Sequence, residues 1–105
     1  MYMDKSIEQI HEALKNKEVT VQELIKESLK KSHEVEEKYN AFVTILDDAK
    51  ETEVTDHLLY GIPYGIKDNY STKGILSTGS SNTLKDYVPF FTATAISNLE
   101  KEGTI

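Results

Sequence analysis

An α/β fold is predicted, with N-terminal helices followed by the first strands of a mixed sheet flanked by helices. Three observations predict it. Two capping-box signatures open amphipathic runs within the first forty residues, β-branched and aromatic runs follow at 41–46 and 61–67, and a last helical pattern closes on a glycine. The expected organisation is one domain or part of one, with a helical hairpin over 1–40 and the start of an α/β core over 41–105.

Ser6 and Gln9 have the spacing of a capping box, and Ile7, Ile10 and Leu14 then recur at helical intervals until Asn16 and Lys17 break the pattern. Thr20 and Glu23 repeat the signature. Behind them Val21, Leu24, Ile25, Leu29, Val35 and Tyr39 form one apolar stripe on a longer helix with a Lys/Glu outer face. Two such helices joined by a tight turn pair naturally as antiparallel neighbours.

The run Ala41-Phe42-Val43-Thr44-Ile45-Leu46 has strand composition, and 47–53 reads as a polar loop or short helical piece. Residues 54–60 carry no clear signal. Residues 61–67 read as a buried strand, with Pro63 at its beginning and Asp68-Asn69 as the turn that ends it. Gly61 and Gly65 are expected where backbone is approached closely. Lys73-Gly74 marks another turn, and Ser77-Thr78-Gly79-Ser80-Ser81 a small-residue loop. Pro89 precedes a final helix with Thr92 or Thr94 as its cap, Ala95, Ile96 and Leu99 inside, and Gly103 at its end. A helix closed this way and followed by Thr104-Ile105 begins a helix-to-strand return, so the sequence reads as the front part of a larger protein.

Composition narrows the function classes. The net charge is −6, and all 12 basic residues are lysines. Without the planar guanidinium fork, the chain lacks the group best suited to bidentate reading of bases or phosphates, so direct nucleic-acid binding by this segment is not expected. There is no cysteine, which removes thiolate chemistry and fits a reducing compartment. His11, His33 and His57 stand apart from any metal-ligand spacing and read as surface or boundary residues. Charges at Asp4, Lys5, Glu8, Glu12 and Lys15 interrupt any secretory apolar stretch, and no run is apolar enough to span a bilayer, so a cytoplasmic location without membrane contact is expected.

The sharpest chemical signal is Lys67. It lies in Gly61-Ile62-Pro63-Tyr64-Gly65-Ile66-Lys67-Asp68-Asn69, where every neighbour is apolar, glycine or a turn former. A lysine enclosed by Ile62, Tyr64 and Ile66 either snorkels to water or loses its charge, because desolvation can bring a group that ordinarily titrates at about 10.4 down toward about 7. A neutral lysine is a usable base. Asp68 and Asn69, beside it, read as turn residues that fix the backbone.

These nine residues, followed by Thr72-Lys73-Gly74, Ser77-Thr78-Gly79-Ser80, Val88-Pro89 and the helix from Thr94 to Gly103, resemble the opening of the amidase signature family. The nine-residue motif is the specific part of the likeness, and the later loop and helix support it. The resemblance implies amide hydrolysis by a serine nucleophile, a second serine on a cis peptide bond, and a lysine, which falls on Lys67. Both serines would sit on a Gly/Ser-rich loop that has no counterpart in these residues. Gly79-Ser80-Ser81 lacks the doubled glycines of that loop, so Ser80 and Ser81 read as turn and packing residues. Thr92 stands where many members carry an aspartate.

Within the family, the likeness further implies release of ammonia from glutamine for transamidation of Glu-tRNA(Gln) or Asp-tRNA(Asn), in a heterotrimeric assembly. It assigns ATP, magnesium and most of the tRNA contact to a partner protein of that assembly, and no cofactor or metal to this chain. Two alternatives stand beside it: a stand-alone amidase of small amides, and a catalytically silent scaffold or interaction module.

Overall fold

The computed structural model describes residues 1–53 and 56–105; Val54 and Thr55, within the stretch that carries no clear sequence signal, lie outside the described residues. After a 3-10 turn at Tyr2–Asp4 come helix α1 (Ile7–Lys15) and helix α2 (Val21–Tyr39). A second 3-10 turn at Asn82–Leu84 precedes helix α3 (Thr94–Lys101).

Both expected capping boxes form. The Ser6 hydroxyl accepts from the Gln9 amide at 3.2 Å while the Gln9 side chain accepts from the Ser6 amide at 2.9 Å. Thr20 and Glu23 repeat the arrangement at 3.2 and 2.9 Å. Each box satisfies two of the amides that a helix start leaves without partners. Helix α1 ends with Lys17 left-handed at φ 59°. The Lys17 amide donates to Leu14 and the Glu18 amide to Ala13, the paired closure that ends α1 before the chain enters α2. Asn40 (φ 51°) ends α2 in the same left-handed region.

A small core forms where the two helices meet the later chain. Ile10, Ala13, Val19, Leu24 and Ile62 are buried together, with Tyr2, Met3 and Leu14 packed against them. The Cα radius of gyration is 14.5 Å, against ~13 Å for a compact chain of this length. Large apolar side chains such as Phe42, Val43, Val88, Phe90 and Phe91 are exposed. The chain therefore closes one core and leaves further apolar faces open.

The expected strands are corrected by the structure: among the described residues there is no β-strand, only an isolated antiparallel bridge between Thr72 and Ile75. Residues 41–46 have no backbone ladder; the Phe42 amide is taken by the Glu36 carboxylate at 2.5 Å. Residues 61–67 likewise form no strand, and their pairing is limited to the end of the chain. The Gly61 amide donates to Gly103, the Ile105 amide to Ile62, and the Tyr64 amide to Ile105. The last two bonds flank Pro63 in the slanted pattern of a single parallel step, with α3 in the crossover between its two sides. Pro63 leaves no amide unused there.

Helix α3 also differs from expectation at its start. Ala93 occupies the cap with no side-chain bond, because the Thr92 hydroxyl accepts instead from the Lys73 amide at 3.0 Å and Thr94 is already helical. At the other end Gly103 (φ 84°) donates to Glu100 as expected, and the Thr104 hydroxyl donates to the Leu99 carbonyl at 2.9 Å.

Gly61 is where the lysine-bearing segment touches the helices. It is left-handed at φ 73°, and a Cβ there would lie 2.8 Å from Val21 Cγ2 and 3.3 Å from Leu14 Cδ1. Gly65 meets nothing within 4 Å, so the close approach expected at both glycines occurs only at Gly61. Replacing Gly61 by Ala combines the left-handed penalty with a displaced valine and should destabilise the chain by about 1–3 kcal/mol, while Gly65→Ala should cost well under half as much. Urea unfolding of the two variants beside the parent chain checks this difference.

Candidate active site around Lys67

Burial along 61–67 differs from residue to residue. Gly61 and Ile62 are buried and Pro63, Tyr64 and Ile66 are half-buried, whereas Gly65 and Lys67 are exposed. Lys67 is thus open to solvent while its three apolar neighbours Ile62, Tyr64 and Ile66 are not. The expectation of a lysine enclosed by Ile62, Tyr64 and Ile66 is corrected accordingly.

What the chain does supply is a fixed backbone beneath that side chain. The Lys67 carbonyl accepts from the Tyr70 amide at 3.0 Å, closing a turn over Asp68-Asn69. Asp68 ties that turn to a second one. Its carboxylate accepts from the Thr78 amide at 3.0 Å, from the Ser80 amide at 3.2 Å and from the Thr78 hydroxyl. The Asp68 carbonyl accepts from the Gly79 amide at 2.9 Å. Gly79 (φ 58°) and Ser80 (φ 56°) are both left-handed; the amides on either side of Gly79 go to the Asp68 carboxylate, and the Gly79 amide goes to the Asp68 carbonyl.

The electrostatics follow from those bonds. The Thr78 hydroxyl, with the amides of Thr78 and Ser80, holds the Asp68 carboxyl below its ordinary value, and partial burial opposes this. On the other face, burial raises the Tyr64 hydroxyl, the Thr104 hydrogen bond offsets part of that rise, and the Glu100 carboxylate adds to it.

The serines near the lysine segment have structural work. Ser77 is buried; its hydroxyl donates to the Ile75 carbonyl at 3.0 Å and accepts from the Thr72 amide at 3.3 Å. Ser81 caps the 3-10 turn, accepting from Thr83 at 3.2 Å. Beneath the lysine segment runs an open, mainly apolar groove of about 190 Å³, between Ile25 and Leu29 of α2, Phe42 and Ile45, and Ile66 and Ile75. Lys67 stands outside its lining. His33 and His57 pair with exposed carboxylates, Asp47 at 2.6 Å and Glu102 at 2.7 Å, which tether the loop after α2 at two points. Among the described residues no cluster of three potential metal ligands forms, and no helix is long and apolar enough to cross a membrane.

Thr78 and Ser80 are the residues of this region that sequence reading missed as partners of Asp68. The only signal available was a hydroxyl-rich loop about ten positions downstream of an aspartate.

A family model described as Amidase matches residues 23–105. The A subunit of the glutamyl-tRNA(Gln) amidotransferase of Lactobacillus gasseri is 40% identical over 103 residues, covering 95% of this chain and 22% of the relative. Its counterpart in Streptococcus agalactiae is 41% identical over 113 residues, covering 99% and 23%. The crystal structure of the corresponding Thermotoga maritima protein superposes with a TM-score of 0.81 at 23% identity, covering all of this chain and 22% of that one. The backbone arrangement is thus shared with that protein, and the chain spans about a fifth of the length of the relatives it matches.

A depressed carboxyl contributes stability above its unfolded-state value of about 4, and that contribution is lost as pH falls through the lower folded value. Asp68→Asn should therefore unfold more readily than the parent at pH 6, by on the order of 1 kcal/mol after solvent screening. The gap should shrink toward pH 3 as the parent carboxyl takes up its proton. Thermal melts of both proteins across this range measure it, and a gap that grows on acidification would contradict the assignment.

Proposed function

The chain belongs to the amidase family, and from that premise we propose that its protein is the glutamine-hydrolysing subunit of a tRNA-dependent amidotransferase, with Lys67 as the base. The observation that carries the proposal is the 40% identity to the L. gasseri amidotransferase protein across 95% of this chain, combined with the position of Lys67 on a backbone fixed by Tyr70 and by the Asp68 bonds. In this reading residues 1–105 are the N-terminal part of a single amidase domain, cytoplasmic, with 1–40 its helical opening and 41–105 the start of its α/β core.

The chemistry assigned to Lys67 is proton acceptance. A neutral lysine takes a proton through a bridging hydroxyl and so activates a serine toward the glutamine side-chain amide, releasing ammonia. Residues beyond these 105 would hold both serines and cover Lys67. Partner subunits of a heterotrimer would bind ATP, magnesium and most of the tRNA, and use the ammonia to transamidate Glu-tRNA(Gln) or Asp-tRNA(Asn). An acidic chain with no arginine fits that division of labour.

A second reading has an observation of its own. Lys67 is exposed, and the sequence holds no Gly/Ser-rich loop of the kind the family likeness implies, which supports reading the 105 residues by themselves as a catalytically silent module. A stand-alone amidase of small amides differs from the leading reading in substrate pocket and partner surfaces, which this chain does not contain.

Ammonia release from glutamine, assayed on the protein expressed from its complete natural reading frame, tests the proposal. Lys67→Ala should lower kcat by about 10²–10⁴-fold. Lys67→Arg should not restore it, because a guanidinium stays charged. The 105-residue chain should release no ammonia; release abolished by Lys67→Ala would show that it holds its own nucleophile. Full activity of the Lys67→Ala protein would remove Lys67 from the mechanism.

A further inference from the structure

We infer that Asp68 is a positioning residue for Lys67, acting through the bonds by which it locks the 67–70 turn onto the 78–80 turn. This rests on the amide-hydrolysis reading above and adds to it a residue that never touches substrate.

Three observations carry the inference. The Lys67 side chain is exposed, so packing does not set its direction and its anchorage comes from the backbone. That backbone is restrained on both sides. Upstream, the Tyr64 amide is bonded to Ile105; downstream, the Lys67 carbonyl is bonded to Tyr70, and the very next residue is held by three bonds to its carboxylate and one to its carbonyl. Finally, the Asp68 carboxylate is engaged by donors of the 78–80 turn, and the ion pairs found among the described residues are His33–Asp47 and His57–Glu102.

The direction of that carboxylate matters chemically. A carboxylate beside an ammonium favours the charged lysine, the form that cannot act as a base. Directed into a ring of amide and hydroxyl donors, the same carboxylate stiffens the turn without serving as counterion to its neighbour. Thr78 is central to this arrangement, since its amide and hydroxyl both donate to Asp68 and its hydroxyl oxygen also accepts from the Ser80 amide at 3.0 Å. Releasing Asp68 would cost Lys67 its anchorage and free a negative charge within reach of it.

The test uses two preparations. In the protein from the complete reading frame, glutamine hydrolysis is measured for the parent, Lys67→Ala, Asp68→Ala and Asp68→Asn, each at a temperature where it is folded. A parent that is active only with Lys67 upholds the amide reading. Asp68→Ala should then lower kcat by about 10²-fold with KM within about threefold, as expected for a misplaced catalytic group, and Asp68→Asn, which keeps an acceptor oxygen, should recover part of the loss. In the 105-residue chain, backbone relaxation by NMR should show residues 67–70 as rigid as α2 in the parent and mobile in Asp68→Ala.

The two failures are distinguishable. An inactive parent would sink the amide reading, and the relaxation data would still decide whether Asp68 anchors Lys67. A folded Asp68→Ala protein with kcat within about twofold of the parent, or one whose 67–70 turn stays as rigid as before, would overturn the positioning role.

Discussion

One carboxylate sits between the two turns that surround the lysine, and their mutual arrangement depends on it. Hydrogen bonds to an ionised acceptor are shorter and stronger than neutral ones, and Asp68 receives three of them from residues ten to twelve positions away. Without that acceptor, the Thr78 amide and hydroxyl would lose the partner they share, and the Ser80 amide would keep only the Thr78 hydroxyl oxygen. With it, two loops that have no sheet between them are bonded to one another, and Lys67 immediately precedes the residue that joins them.

Beneath this element the helices provide the platform. The contact is made at Gly61, where Val21 and Leu14 lie so close that no side chain fits. Ile62, the next residue, enters the core with Ile10, Ala13, Val19 and Leu24. From there the chain is bonded to the Gly103–Ile105 stretch that returns from α3 and reaches Lys67. The path from the capped helices to the lysine is thus continuous, with helix packing setting Gly61, one parallel step setting 62–64, and Asp68 setting 67–70. The apolar faces left open around that path, and the exposure of Lys67 itself, fit a chain that matches about a fifth of its relatives' length.

What was legible in the sequence was what is decided locally. Both capping boxes, the helices behind them, the Lys73-Gly74 turn and the Gly103 stop depend on residues within four or five positions of one another, and each formed where its pattern lay. The strands were not legible in the same sense. A run such as 41–46 has strand composition, but a strand exists only when a partner row accepts its amides, and here the Phe42 amide went to Glu36. The exposure of Lys67 depends on what the later chain leaves uncovered, and the number of apolar neighbours in the sequence hides it. Gly61 and Gly65 look alike in sequence and differ only in what lies opposite, which is a tertiary fact. The Asp68 bonds belong to the same class: aspartate after lysine reads as a turn former, and nothing local announces that its acceptors will be filled from Thr78 and Ser80.

The central claim is that the Asp68 carboxylate holds the lysine turn and the 78–80 turn together, and amide hydrogen exchange on the 105-residue chain tests it most directly. The Thr78 and Ser80 amides should exchange far more slowly than those of exposed Lys85 and Asp86, and Asp68→Ala should bring them to the same fast rate while leaving α2 protected. Exchange at Thr78 and Ser80 that is already fast in the parent chain, or unchanged in the variant, would contradict the account.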